Sequence, residues 1–229
     1  MRKFFVCISV LFFITPFCYS QQLSQVSFLD GASLSFFSVR TGQDVLIRIS
    51  EDGKLLEWGT EVLSDRYNYY APRLQPFYAR TEYFPPDSDS AYKDKVKSIG
   101  TCFITYYGAY EEESKRGKLK SLGTLQFDYY SKYDEKSLQG KLKFIGTLVL
   151  DYYRSYENEA FRGKLKSIGN TAITYYSAFD DKYNSGKIKS IGPVPYVWYS
   201  PLNSGTFMGG GLKSNNYRQS ISGVMYILQ

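Results

Sequence analysis

The side chains in this chain best suited to chemistry are tyrosines and lysines, and they recur on a fixed schedule. Tyr107, Tyr130, Tyr153, Tyr176 and Tyr199 stand 23 residues apart, and so do Lys97, Lys120, Lys143, Lys166 and Lys189. A phenol ring can stack on a flat ligand and hydrogen-bond through its hydroxyl, and an ammonium group attracts anions. The two files together are therefore a candidate binding surface. The same residue types also pair across strands. Acids close in sequence (Glu111, Asp134, Glu157, Asp180) suit ion pairing with the lysines, each pair contributing about 0.2–1 kcal/mol.

Catalytic tools are scarce. The chain has no histidine, which excludes histidine-based triads and histidine metal sites. It lacks a glycine-rich phosphate loop ending in Gly-Lys-Ser/Thr, and its acidic stretches lack the calcium-loop spacing. Asp128 and Asp151 are the only regularly placed strand acids, and their counterparts in other copies are Thr105, Thr174 and Val197. That exchange fits a solvated cross-strand position better than a carboxylate pair for glycoside cleavage. The expectation is a protein that is not an enzyme, with no cofactor and no bound metal.

The residues that must position these side chains form one repeated phrase. Gly-Lys-Leu-Lys-Ser-Ile-Gly followed by a Tyr-Tyr segment closes on Gly100, Gly123, Gly146, Gly169 and Gly192, always 23 residues apart. A period this strict means one supersecondary unit stacked on copies of itself. Lys118-Leu119-Lys120-Ser121 alternates cationic and apolar residues, as a half-exposed strand does, which predicts both lysines on one face. Leu125 to Tyr130 has the β-branched and aromatic character of a second strand in its sister copies. Gly-Thr between them suits a tight turn, because glycine accepts positive φ. Each repeat is thus read as one β-hairpin. Ile104, Phe127, Leu150, Ile173 and Tyr196 share a core face with Tyr106, Tyr129, Tyr152, Tyr175 and Trp198. The Tyr107 file takes the opposite, wetter face.

The predicted fold class is all-β: an antiparallel meander of tandem hairpins in an elongated, twisted or curled sheet. Its apolar face must curl on itself, be covered by residues 21–90, or dimerise. The unit is too short for a propeller blade, and two lysines per repeat fit the lipid-facing rule of a membrane barrel poorly. The predicted organisation is a signal peptide over 1–20, an N-terminal β region with degenerate repeats over 21–93, five repeats over 94–199 and C-terminal capping strands over 200–229. Within residues 24–65, Asp30-Gly31 and Asp52-Gly53 read as hairpin turns.

Arg2 and Lys3 followed by an apolar run to Phe17 make the export signal, with Cys18 open to lipidation as a second reading. The full chain carries 28 basic and 22 acidic residues. This mild excess, interleaved with acids, does not suit nucleic acid. Cys102 aligns with Leu125, Leu148, Thr171 and Val194, so it reads as a small buried hydrophobe. No stretch beyond the signal is long and apolar enough for a transmembrane helix.

In period and unit, residues 94–199 resemble MORN-type repeat proteins, whose tandem hairpins build an elongated sheet. The MORN glycine-aromatic motif is not matched. That resemblance implies assembly and membrane-proximal scaffolding. The tyrosine pairs also resemble secreted choline- and glucan-binding hairpin modules, which implies aromatic recognition of sugar or choline. The expected function is an exported, non-catalytic scaffold at the cell envelope, acting in the periplasm, at the surface or after secretion. The expected partners are proteins, further copies of itself, or cell-surface polysaccharide. The alternative is a carbohydrate-binding module with Tyr130, Tyr153 and Tyr176 stacked on sugar rings.

Overall fold

A computed structural model describes residues 21–62, 72–200 and 211–229. The proposed signal peptide, Cys7 and Cys18 lie outside the described residues. The structure is all-β. The first sheet uses β1 (Gln22–Leu29), β2 (Ser33–Arg40), β3 (Leu46–Ile49), β4 (Leu55–Glu61) and β5 (Leu74–Gln75). Next come β6 (Thr81–Tyr83), β7 (Val96–Ile99), β8 (Cys102–Tyr106), β9 (Leu119–Leu122), β10 (Leu125–Tyr129) and β11 (Leu142–Ile145). The repeats continue as β12 (Leu148–Tyr152), β13 (Leu165–Ile168), β14 (Thr171–Tyr175), β15 (Ile188–Ile191) and β16 (Val194–Pro195). The chain ends in β17 (Arg218–Ile221) and β18 (Val224–Leu228).

The strands β6 to β16 form an 11-stranded sheet in strict chain order, a pure antiparallel meander. It stays open, with β6 and β16 as its edges. The strand β6 is the second half of a degenerate repeat: Thr81 pairs with Ile99 as Ile104 pairs with Leu122. The remaining seven strands form a second sheet in the order β17-β18-β1-β2-β3-β4-β5, in which β1 and β18 run parallel. The two C-terminal strands therefore join the N-terminal ones.

This second sheet covers the repeats. Val26, Phe28, Phe37, Val39, Ile47 and Ile49 from it share one hydrophobic core with Ile104, Phe127, Leu150, Ile173 and Tyr196. Of the three ways to bury the apolar face, the chain uses its own N-terminal region. Two hairpin turns make the docking specific, one at Asp30-Gly31 and one at Asp52-Gly53. Their main-chain carbonyls accept hydrogen bonds from the opposite sheet: Ile188 N–H to Gly31 O (2.8 Å), Leu142 N–H to Glu51 O (2.8 Å) and Leu119 N–H to Gly53 O (3.3 Å). Gly53 has φ of +76°, and a Cβ there would sit 2.0 Å from the Tyr129 hydroxyl oxygen, so only glycine fits.

One feature of the hairpins departs from simple alternation. Each repeat carries a β-bulge, and the extra residue is always the second lysine. Tyr106 pairs with Leu119 and Thr105 with Ser121, which skips Lys120. The same slip skips Lys97, Lys143, Lys166 and Lys189. A bulge turns two successive residues toward one side. Leu119 and Leu122 therefore both face the core, while Ser121 turns to the other face of the sheet, where it stays buried and meets the Thr105 hydroxyl at 2.6 Å. Strict alternation would have put Ser121 inside.

Candidate functional site

The bulge divides the ten repeat lysines into two files with different surroundings, rather than the single stripe expected from sequence. The first file lies against the buried aromatics. Lys95, Lys118, Lys141, Lys164 and Lys187 stand 4.4–5.2 Å above the rings of Tyr106, Tyr129, Tyr152, Tyr175 and Trp198. The ammonium groups of Lys95, Lys118, Lys141 and Lys164 donate to the carbonyls of Gly117, Gly140, Gly163 and Gly186, each 22 residues on. Burial pushes the ammonium pKa of Lys95, Lys118, Lys164 and Lys187 down.

The bulged lysines form the second file. Lys120, Lys143, Lys166 and Lys189 lie 5.1–5.6 Å over the rings of Tyr107, Tyr130, Tyr153 and Tyr176. Each also pairs with an acid nine residues earlier: Glu111 at 3.9 Å, Asp134 at 3.8 Å, Glu157 at 3.1 Å and Asp180 at 2.8 Å. The residue nine before Lys97 is Ser88, so this lysine has no equivalent acid. The cationic surface is locally neutralised.

The tyrosines of the candidate surface are tied into the sheet. Tyr107, Tyr130, Tyr153 and Tyr176 donate through their hydroxyls to the carbonyls of Phe127, Leu150, Ile173 and Tyr196, each 20 residues on, at 2.9–3.0 Å. Tyr130 is buried, with 5% of its surface exposed, and Tyr199 at 39% is the most open of the five. Tyr107, Tyr153 and Tyr176 are half-buried. Tyr107, Tyr153 and Tyr176 pack against the core to which Tyr130 belongs. Burial pushes the phenols of Tyr107 and Tyr130 up to about 12, which keeps them protonated near neutral pH. The inner ring atoms follow another rule. Tyr106, Tyr129, Tyr175 and the Trp198 indole donate to carbonyls ten residues back, whereas the buried Tyr152 hydroxyl has no partner among the described residues.

Asp128 and Asp151 occupy equivalent outward positions in successive repeats, each with its own cation. Lys115 lies 2.6 Å from Asp128 and Arg154 lies 3.1 Å from Asp151. Cys102 is buried, and desolvation pushes its thiol up to about 11. No cluster of three or more potential metal-binding side chains occurs among the described residues. No described helix is long and apolar enough to cross a membrane.

A third aromatic file escaped the sequence reading. Tyr110, Tyr133, Tyr156 and Phe179 stand 23 residues apart at the tips of the polar loops, and their surfaces are 102, 85, 82 and 96% exposed. The loops beneath them are well built. The Gly117 N–H donates to Tyr107 O, and the contact recurs in the next three copies. Glu112 and Glu135 accept from the main-chain N–H of Lys132 and Ser155 in the following loop. The signal was present in the sequence: an aromatic retained four times within a polar stretch. Comparison with known protein families, curated proteins and solved structures finds no match.

Proposed function

We propose that this protein is an exported, non-catalytic repeat protein that acts as a structural or interaction scaffold at the cell envelope. The observation that supports this reading is where the repeat's polar groups go. Tyrosine hydroxyls reach 20 residues on and lysine ammonium groups 22 residues on, each to a carbonyl of the next copy. Loop carboxylates tie successive turns together in the same direction. Such nearest-neighbour ties stiffen a linear array, and a stiff array with equivalent positions gains avidity from many weak contacts. The alternative, a carbohydrate-binding module, finds little open ring area on Tyr130, Tyr153 and Tyr176. Its support comes from the loop tips instead.

The test is co-sedimentation of the purified protein with envelope fractions, alongside analytical ultracentrifugation of the protein alone. Saturable retention on the envelope, or concentration-dependent self-association, agrees with the proposal. A monomer that ignores every fraction would sink it.

A further inference from the structure

We infer that the loop-tip file of Tyr110, Tyr133, Tyr156 and Phe179 is a binding site for a single chain of an uncharged, linear polysaccharide. This goes beyond the scaffold reading and stands or falls apart from it.

The first observation is exposure without a structural role. Buried aromatics recur because packing requires them, but these rings are at least 82% exposed. Among them only Tyr133 touches a neighbouring cation, Lys132 at 5.1 Å. The residue before each ring is not fixed: it is Ala109, Lys132, Ser155 or Ala178. Four copies nonetheless keep an aromatic at this one position. Exposed apolar groups kept in a regular row mark contact surfaces.

The second observation is that the loops carrying the rings are tied down. The residue after each ring is a carboxylate anchored to the sheet through a bulged lysine, as in Asp180 to Lys189 at 2.8 Å and Glu157 to Lys166 at 3.1 Å. Glu112 then ties the first loop to the second, and Glu135 the second to the third. Ordering the loop before a ligand arrives lowers the entropic cost of binding.

Spacing and charge select the ligand class. Successive tips are separated by two strands, ~9.6 Å at the usual inter-strand distance. That separation leaves each ring its own contact and matches the disaccharide repeat of a β-1,4-linked chain, where every second sugar shows the same C–H face. The tip loops 108–116, 131–139, 154–162 and 177–185 carry nine acids and seven bases. This near-neutral balance, with a carboxylate beside every ring, opposes anionic polymers and anionic lipid. The same carboxylates and Asn158 can accept hydrogen bonds from sugar hydroxyls. Between the third and fourth tips a groove of about 430 Å³ is lined by Asn158, Glu159, Ala160, Ala178 and Phe179, wide enough for part of a sugar ring. A twisted sheet carries the row along a curved path, which suits a flexible single chain rather than a crystalline face.

The experiment is native affinity electrophoresis of the full protein in gels containing hydroxyethyl cellulose, mixed-linkage β-glucan or dextran. Co-flotation with anionic phospholipid vesicles runs in parallel. The variant combines Tyr110→Ala, Tyr133→Ala, Tyr156→Ala and Phe179→Ala, and a second variant changes only Tyr133 and Tyr156. Because the rings are exposed, both variants should keep the wild-type melting temperature. The expected result is retardation by at least one uncharged polysaccharide, weakened about 100-fold or more in the quadruple variant and by less in the double variant. Retardation that is equal in wild type and quadruple variant overturns the inference, as does no retardation in any gel. Vesicle binding that needs the rings, without retardation by polysaccharide, overturns it in favour of a membrane surface. Envelope retention that survives loss of all four rings leaves the scaffold reading intact while removing this one.

Discussion

Tyr129 and Tyr133 lie four residues apart in one repeat and meet opposite environments. Tyr129 is fully buried and donates its hydroxyl to Leu119 O at 2.7 Å. Tyr133 is 85% exposed. The pairing recurs as Tyr106 with Tyr110, Tyr152 with Tyr156, and Tyr175 with Phe179. One position is held by the core and the other by nothing inside the molecule. Periodicity alone therefore does not say what an aromatic is for; burial divides the files.

The sharpest way to break this contrast is truncation. Tyr129→Ala should lower stability by about 3–5 kcal/mol through lost burial and a cavity under the Asp52-Gly53 turn, whereas Tyr133→Ala should stay within about 0.5 kcal/mol. Chemical denaturation of both variants measures the gap, and equal losses would erase the distinction. Gly53→Ala comes next, at about 1–3 kcal/mol for a side chain forced into positive φ, with the Tyr129 contact adding to it. Gly223, at φ +81° with nothing within 4 Å of an added Cβ, is the control that carries the backbone cost alone.

Smaller effects separate the buried rings from one another. Tyr129→Phe leaves Leu119 O without its donor and should cost about 1 kcal/mol. Tyr152→Phe removes a buried hydroxyl that has no partner, and should be neutral or stabilising. Thermal melts of the two single variants decide this. Smaller still is the contribution of the tip carboxylates, which shows in pH dependence. The Lys189 ammonium and then the Ser177 hydroxyl and N–H hold Asp180 well below its ordinary value of 3.8. A carboxylate with a depressed folded pKa stabilises above its unfolded value, and that advantage fades as pH falls through the folded one. Asp180→Asn should therefore be less stable than wild type at neutral pH, with the gap closing as pH drops below 3.8. A gap that persists unchanged in acid would show that the carboxylate's charge is not what matters.

Much of the architecture was legible in the sequence because the repeat compares itself with itself. The hairpin unit, the meander and the inner file from Ile104 to Tyr196 follow from residues that stay large and apolar at a fixed spacing. The turns at Asp30-Gly31 and Asp52-Gly53 were legible from turn chemistry. The face that Ser121 takes was not, because a bulge obeys strand pairing and leaves no period-2 trace. The depth of Tyr130 was equally hidden. Lys143 and Tyr152 lie against its ring as their counterparts do in the half-buried copies. Arg154, 5.9 Å from the ring centroid, adds a contact from a later loop.

The sequence by itself determined the local unit: glycines that allow the turns, alternation that makes strands, and a period that stacks them. Local backbone preferences and side-chain periodicity are written residue by residue, so they survive without the rest of the chain. Tertiary structure alone decided which region covers the repeats. It brought β18 beside β1 and set two glycine turns on the inner aromatics, contacts between residues up to 200 positions apart. It also decided which of three evenly spaced aromatic files stays in water. Burial depends on everything packed around a ring, and no spacing along the chain encodes that sum.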